Sequence, residues 1–65
     1  MQITLNGEPY IVEDAITLEE LLNKLNLKGR LAVEINQRII PHSEYNTQII
    51  CPDDRVEIVY AIGGG

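Results

Sequence analysis

Apolar and polar residues alternate from Gln2 to Leu5 and again from Pro9 to Val12, with Asn6-Gly7 between the two runs. That pattern predicts a hairpin with a type I′ turn, because both central residues of such a turn need positive φ and Asn-Gly accepts it best. The two-residue loop fixes the register: Leu5 faces Glu8, Ile3 faces Tyr10 and Met1 faces Val12. Ile3, Leu5, Tyr10 and Val12 therefore share a core face, while Gln2, Thr4 and Ile11 share the opposite one.

The period then changes. Thr17-Leu18-Glu19-Glu20 is a capping box, in which Thr17 accepts from the backbone three residues on and Glu20 reaches back to the cap. Leu18, Leu21, Leu22 and Leu25 follow on one helical face, with Glu19, Glu20 and Lys24 outside, and Gly29 is the expected stop. Leu31–Asn36 predicts a third strand with Val33 and Ile35 inward and Glu34 toward water. Asn36-Gln37 predicts a turn, and Arg38-Ile39-Ile40 a short fourth strand stopped by Pro41. The polar stretch His42–Gln48 is expected to be irregular with room for one helical turn, and Ile49-Ile50-Cys51 to add a brief strand. Pro52-Asp53-Asp54 predicts a turn, since proline presets φ and aspartate bonds nearby backbone. Arg55–Ile62 is the longest predicted strand.

A hairpin, one amphipathic helix, short strands and a long last strand predict an α+β layer with one main helix on one face of a mixed sheet of four to five strands. Pairing the first and last strands in parallel at the centre gives a β-grasp, ubiquitin-like arrangement, whose chain order projects whatever follows the last strand away from the body. The expected organisation is a β-grasp domain over residues 1–62 and a flexible glycine tail over 63–65.

Composition narrows the function. Sixty-five residues make one small domain, with little room for an internal active site. Ten acidic residues against five basic ones give a formal net charge of -5. That repels phosphate backbones and favours a basic protein partner over nucleic acid. No apolar run approaches the roughly 20 residues that span a bilayer, so no membrane association is expected. The single cysteine and the Met1-Gln2-Ile3 start, which lacks a basic, apolar leader, point to the cytoplasm.

The side chains offer no catalytic constellation. His42 and Cys51 are the only histidine and cysteine. Cys51, between Ile50 and Pro52, is expected to be buried and inert, and His42 to be a solvated loop residue without a metal-ligand set; no catalytic residue, metal or bound cofactor is expected. Asp53 and Asp54 are adjacent turn residues that point apart. What remains is the end Gly63-Gly64-Gly65. Glycines forfeit more backbone entropy on ordering than other residues, but they are thin enough to thread a partner's channel. From Ala61 to Gly65 an extended chain reaches roughly 16 Å. The α-carboxylate of Gly65 is a poor electrophile until ATP adenylates it. A persulfide or thiolate can then attack, and reductive release leaves a thiocarboxylate, with every catalytic group supplied by partners.

Ala32-Val33-Glu34-Ile35-Asn36 running into Ile39-Ile40-Pro41, then Asp54-Arg55-Val56-Glu57-Ile58-Val59, then the Gly-Gly end, together with Asn6-Gly7-Glu8 and the length, resemble the ThiS family, the bacterial sulfur carrier of thiamine thiazole synthesis. The resemblance covers nearly the whole chain. It implies a non-enzymatic carrier adenylated by a ubiquitin-activating-type (ThiF-like) enzyme that uses ATP. A cysteine desulfurase or rhodanese-type donor would load it with sulfur, and thiazole synthase (ThiG-like) would receive that sulfur. Gly65 would be the thiocarboxylate residue, with Gly63 and Gly64 recognised as the tail. Two departures stand out: His42 where the family commonly has arginine after the proline, and three terminal glycines rather than two.

Register supplies a surface expectation of its own. Val56, Ile58 and Tyr60 fall on one face of the last strand and Glu57 and Val59 on the other, with Ile11 and Ala32 also away from the helix. Ile11 and Val59 are thus expected to form part of an exposed apolar patch, ringed by Glu34 and Glu57, that docks the adenylating enzyme and thiazole synthase. Rival readings are the small subunit of molybdopterin synthase, a ubiquitin-like protein modifier, and a binding module with an inert tail.

Overall fold

A computed structural model describes residues 1–60. It contains β1 (Gln2–Leu5), β2 (Glu8–Ile11), α1 (Leu18–Lys24), β3 (Leu31–Ile35), β4 (Arg38–Ile39), a 3-10 turn at His42–Glu44, and β5 (Arg55–Tyr60). The five strands form one mixed sheet in the order β2-β1-β5-β3-β4. β5 runs parallel to β1 and antiparallel to β3, so the last strand lies at the centre. This is the β-grasp arrangement. The expected residues Ala61 and Ile62 of the last strand, and the glycine tail 63–65, lie outside the described residues.

The first hairpin has the register that its turn dictates, with Ile3 opposite Tyr10 and Leu5 opposite Glu8. Asn6 and Gly7 have φ of 49° and 86°, as a type I′ turn requires. The pairing continues past the strands: the Val12 N–H donates to the Met1 carbonyl at 2.9 Å and the terminal ammonium donates back to Val12 O at 2.6 Å.

Helix α1 starts where the capping box places it. The Glu20 N–H donates to Thr17 Oγ1 at 3.1 Å, and the Thr17 N–H donates to Glu20 Oε1 at 2.9 Å. Leu18, Leu21 and Leu22 are buried against Ile3, Val33, Val56 and Ile58 in a single core, each contributing on the order of 1.5–3 kcal/mol by leaving water. The helix ends at Lys24, five residues before Gly29. Asn26 takes the left-handed conformation at φ 58°, its N–H donates to Asn23 O, and the Leu27 N–H donates to Leu22 O, both at 3.0 Å. That pair of bonds is a Schellman motif with asparagine in the usual glycine position, closed by Leu27 packing on the core.

Three other boundaries differ from expectation. β3 ends at Ile35 and β4 at Ile39, although Ile40 still donates its N–H to Val33 O at 2.9 Å and is buried. Ile49–Cys51 is not a strand, because its neighbour is the segment leading into α1. Leu18 N–H donates to Gln48 O and Ile50 N–H to Ile16 O, making one isolated bridge between Thr17 and Ile49. Tyr60 has the parity of the buried Val56 and Ile58 yet is 56% exposed.

Candidate functional site at the central strand

β5 carries the chain toward the glycine end, and its neighbours hold it from both sides. β3 pairs along its whole described length, from Ile35 opposite Val56 to Leu31 opposite Tyr60. β1 pairs only at Thr4–Arg55 and Leu5–Val56 before it turns away. The next position on that side of β5 is occupied by a side chain. Asn6 Oδ1 accepts from the Ile58 N–H at 2.8 Å, and Asn6 Nδ2 donates to the Ile58 carbonyl at 3.2 Å. The carboxamide thus takes the place of one more residue of β1.

The second hairpin repeats the device. Asn36 and Gln37 sit at φ 52° and 71°; the Asn36 N–H donates to Arg55 O at 2.8 Å, and Asn36 Oδ1 accepts from the Arg55 N–H at 2.9 Å. Asn36 Nδ2 also donates to Asp54 Oδ1 at 2.9 Å, while Asp54 Oδ2 accepts from the Cys51 N–H at 2.8 Å. Asp54 is therefore spent on fixing the turn before β5, and Asp53, at φ 67°, adopts the left-handed position of that turn. The two form no dyad. Sequence reading treats Asn6 and Asn36 as turn formers only. The available signal is that both turns use asparagine, whose amide offers a donor and an acceptor together.

The face of the sheet opposite α1 carries the anticipated surface residues, but not as one patch. Val59 lies opposite Ala32, and Glu57 opposite Glu34, with Ile39 opposite Glu34 on the far side. Val59 and Ile39 are 58% and 75% exposed. Ile11, 66% exposed, pairs with Gln2 on the other edge of the sheet. Since Thr4 aligns with Arg55, Ile11 is three same-face rows from Val59, roughly 20 Å along the strands. Val59, Ala32 and Ile39 flank the two carboxylates; Ile11 stands apart from them, because β1 and β5 are parallel and staggered.

The two reactive side-chain types are placed as follows. Cys51 is exposed, contrary to the expected burial, because Ile50 is the residue of this segment that enters the core and the thiol next to it stays outside. It borders an open hollow with Arg38, Gln48 and Asp54. His42 lies on the surface but is not free: its Nε2 is 2.9 Å from the Leu31 carbonyl, so that nitrogen carries the donated proton, and the ring stacks on Tyr45 at 4.7 Å. Tyr45 is buried, and its hydroxyl has no hydrogen-bond partner among the described residues. Burial pushes its phenol above the ordinary value of 10.0. A larger hollow beside the start of α1 is bordered by Glu13, Glu20 and Lys24. There Lys24 Nζ donates to Glu13 Oε1 at 2.6 Å, and this bond holds the carboxylate below its usual range and the ammonium above. Among the described residues no three His, Cys, Asp or Glu side chains converge as metal ligands, and no helix is long and apolar enough to cross a membrane. The expected site residues Gly63, Gly64 and Gly65 lie outside the described residues.

A five-stranded β-grasp whose described surface offers a sheet face and a central strand leading to the chain end defines a ubiquitin-like domain. The model of the ThiS family matches residues 3–65. Sulfur carrier protein ThiS of Bacillus subtilis is 35% identical over 65 residues, covering 97% of this chain and 98% of that protein. A thiazole synthase of Magnetococcus marinus is 41% identical over 66 residues, which take in all of this chain but only 20% of that protein. Among solved structures, the thiamine biosynthesis protein ThiS of Geobacter metallireducens superposes with a TM-score of 0.89 at 29% identity, over 100% of both chains. The chain belongs to the ThiS family.

Proposed function

We propose that this protein is a sulfur carrier of thiamine biosynthesis whose reactive group is the α-carboxylate of Gly65. The observation that carries the reading is that the family match runs through residue 65, so the glycine end falls within what the chain shares with its family. Likeness to the Bacillus sulfur carrier supplies the role.

The chemistry follows from the weakness of a carboxylate as an electrophile. Attack of the Gly65 carboxylate on the α-phosphorus of ATP releases pyrophosphate and leaves an acyl adenylate. The terminal sulfur of a persulfide displaces AMP and forms an acyl disulfide. A second thiol then supplies the electron pair that breaks the S–S bond, leaving the Gly65 thiocarboxylate and an oxidised disulfide. The adenylating enzyme and the cysteine desulfurase or rhodanese-type donor contribute every catalytic group. This chain contributes a slender nucleophile and a docking face, and is a co-substrate of its partners.

Thiazole synthase is the proposed acceptor. A domain similar to this whole chain lies within the Magnetococcus protein of that name, which supports physical proximity of the two activities. Glu34, Glu57, Val59 and Ala32 are the proposed docking face, with a basic, partly apolar patch as its complement. Ile11, at the other edge of the sheet, is not part of that face. Deleting Gly64 and Gly65 tests the reading: thiazole formation is abolished while binding to thiazole synthase persists. Full activity of the truncated chain would overturn it.

A further inference from the structure

We propose that Asn6 is a positioning residue for the chemistry at Gly65, acting through Ile58. The inference rests on the sulfur-carrier reading and deepens it. The backbone pairing of β1 with β5 ends at Leu5–Val56, two residues before Ile58. From there to Tyr60, the described residues give β5 backbone partners on its β3 side only. The single exception is the Asn6 carboxamide, which bonds both polar groups of Ile58. Asn6 is thus the last restraint from β1 on the strand that leads to the reactive end.

Leverage makes that restraint matter. Gly65 is the seventh residue after Ile58, roughly 23 Å away when the chain is drawn out through a partner's channel. Without the clamp the end of β5 is free to splay, so the tail is fed into that channel from a wider range of directions, and misplacement by about 1 Å at a reacting centre costs on the order of a hundredfold. The turn alone does not require asparagine. Glycine suits its φ of 49° at least as well, and aspartate tolerates it while keeping an acceptor. What asparagine adds is a donor and an acceptor in one planar group, matched to the N–H and C=O of one residue.

The two roles separate in Asn6→Gly, which preserves the turn and removes the clamp, and Asn6→Asp, which keeps the acceptor for the Ile58 N–H and loses the donor. Hydrogen exchange on the free protein reads the clamp. In Asn6→Gly the Ile58 amide exchanges about tenfold faster relative to the Val33 and Leu21 amides, the loss expected from one or two hydrogen bonds. In Asn6→Asp that amide stays protected. ATP–pyrophosphate exchange by the adenylating enzyme reads the positioning. Because the docking face is untouched, kcat with Asn6→Gly falls about tenfold while KM for the carrier stays within about twofold, and Asn6→Asp recovers part of the loss. Faster Ile58 exchange with unchanged kcat would overturn the positioning role and leave Asn6 a structural residue. Unchanged Ile58 exchange would overturn the clamp itself. Failure of the wild-type chain to support pyrophosphate exchange would overturn the carrier reading, and with it the role of Asn6, whereas a failure confined to kcat of the variants cannot be blamed on that reading.

Discussion

Glu34 lies directly opposite Glu57 across the antiparallel β3–β5 pair, on the sheet face that α1 leaves uncovered. Two carboxylates in that relation repel, at a cost of a few tenths to about 1 kcal/mol relative to a neutral pair. A sheet selected for stability alone would not keep them.

Glu57→Lys therefore separates stability from function. It converts a like-charge pair into an opposite-charge pair, and thermal unfolding is expected to rise by a few degrees, on the scale of about 4–8 °C per kcal/mol for a domain of this size. Association with the adenylating enzyme and thiazole synthase is expected to slow and lose much of its salt dependence. Stopped-flow binding at two ionic strengths checks this; unaltered association rates would remove the pair from the docking face.

Tyr45 carries a cost without a compensating bond. Its hydroxyl is buried and unpartnered among the described residues, so Tyr45→Phe is expected to stabilise the fold by about 1 kcal/mol. The sign of the pH effect follows from burial, which raises the phenol's pKa in the folded state above 10.0. Stability is then complete below the unfolded value near 10.0 and is lost as pH rises from there through the folded value. Denaturant melts of the two proteins at neutral pH and above pH 10.0 should diverge, with the phenylalanine variant keeping more of its stability. Parallel curves would mean that the hydroxyl has a partner in solution.

Cys51 is the only cysteine and is exposed. A thiol reagent such as a disulfide-exchange chromophore is expected to titrate one thiol per chain in the native protein, at a rate close to that in denaturant. Protection by a hundredfold or more would show the thiol buried. Cys51→Ser is expected to leave stability within about 0.5 kcal/mol, as surface substitutions usually do.

The departures from expectation all arise from tertiary context. The hairpin, the capping box and the inward parity of Val33, Ile35, Val56 and Ile58 were legible because each depends on neighbours within a few positions or on strict alternation. The exposure of Cys51, expected to be buried, and of Tyr60, on the face of Val56 and Ile58, depends on what the rest of the chain covers, which neither the neighbours Ile50 and Pro52 nor strand parity encodes. Likewise, Ile11 and Val59 do share a face, yet their separation depends on the stagger of the parallel β1–β5 pair, which no local pattern encodes. Asn26 took the role expected of Gly29 because the left-handed cap falls where the helix runs out of core to cover. The Asn6–Ile58 contact joins residues 52 apart and was invisible for the same reason. Of the proposed site, the chemical identity of the glycine end was legible in the sequence, while the clamps that hold the strand leading to it required the fold.

The most direct test of the proposed carrier role is intact mass spectrometry of this chain after incubation with its adenylating enzyme, ATP, a cysteine desulfurase and cysteine, beside a control without ATP. Replacement of one oxygen by one sulfur is expected only with ATP, and fragment-ion sequencing should place it at Gly65, since oxidation of Met1 or Cys51 gives nearly the same mass. An unmodified terminus with partners that are demonstrably active on another carrier would contradict the sulfur-carrier role.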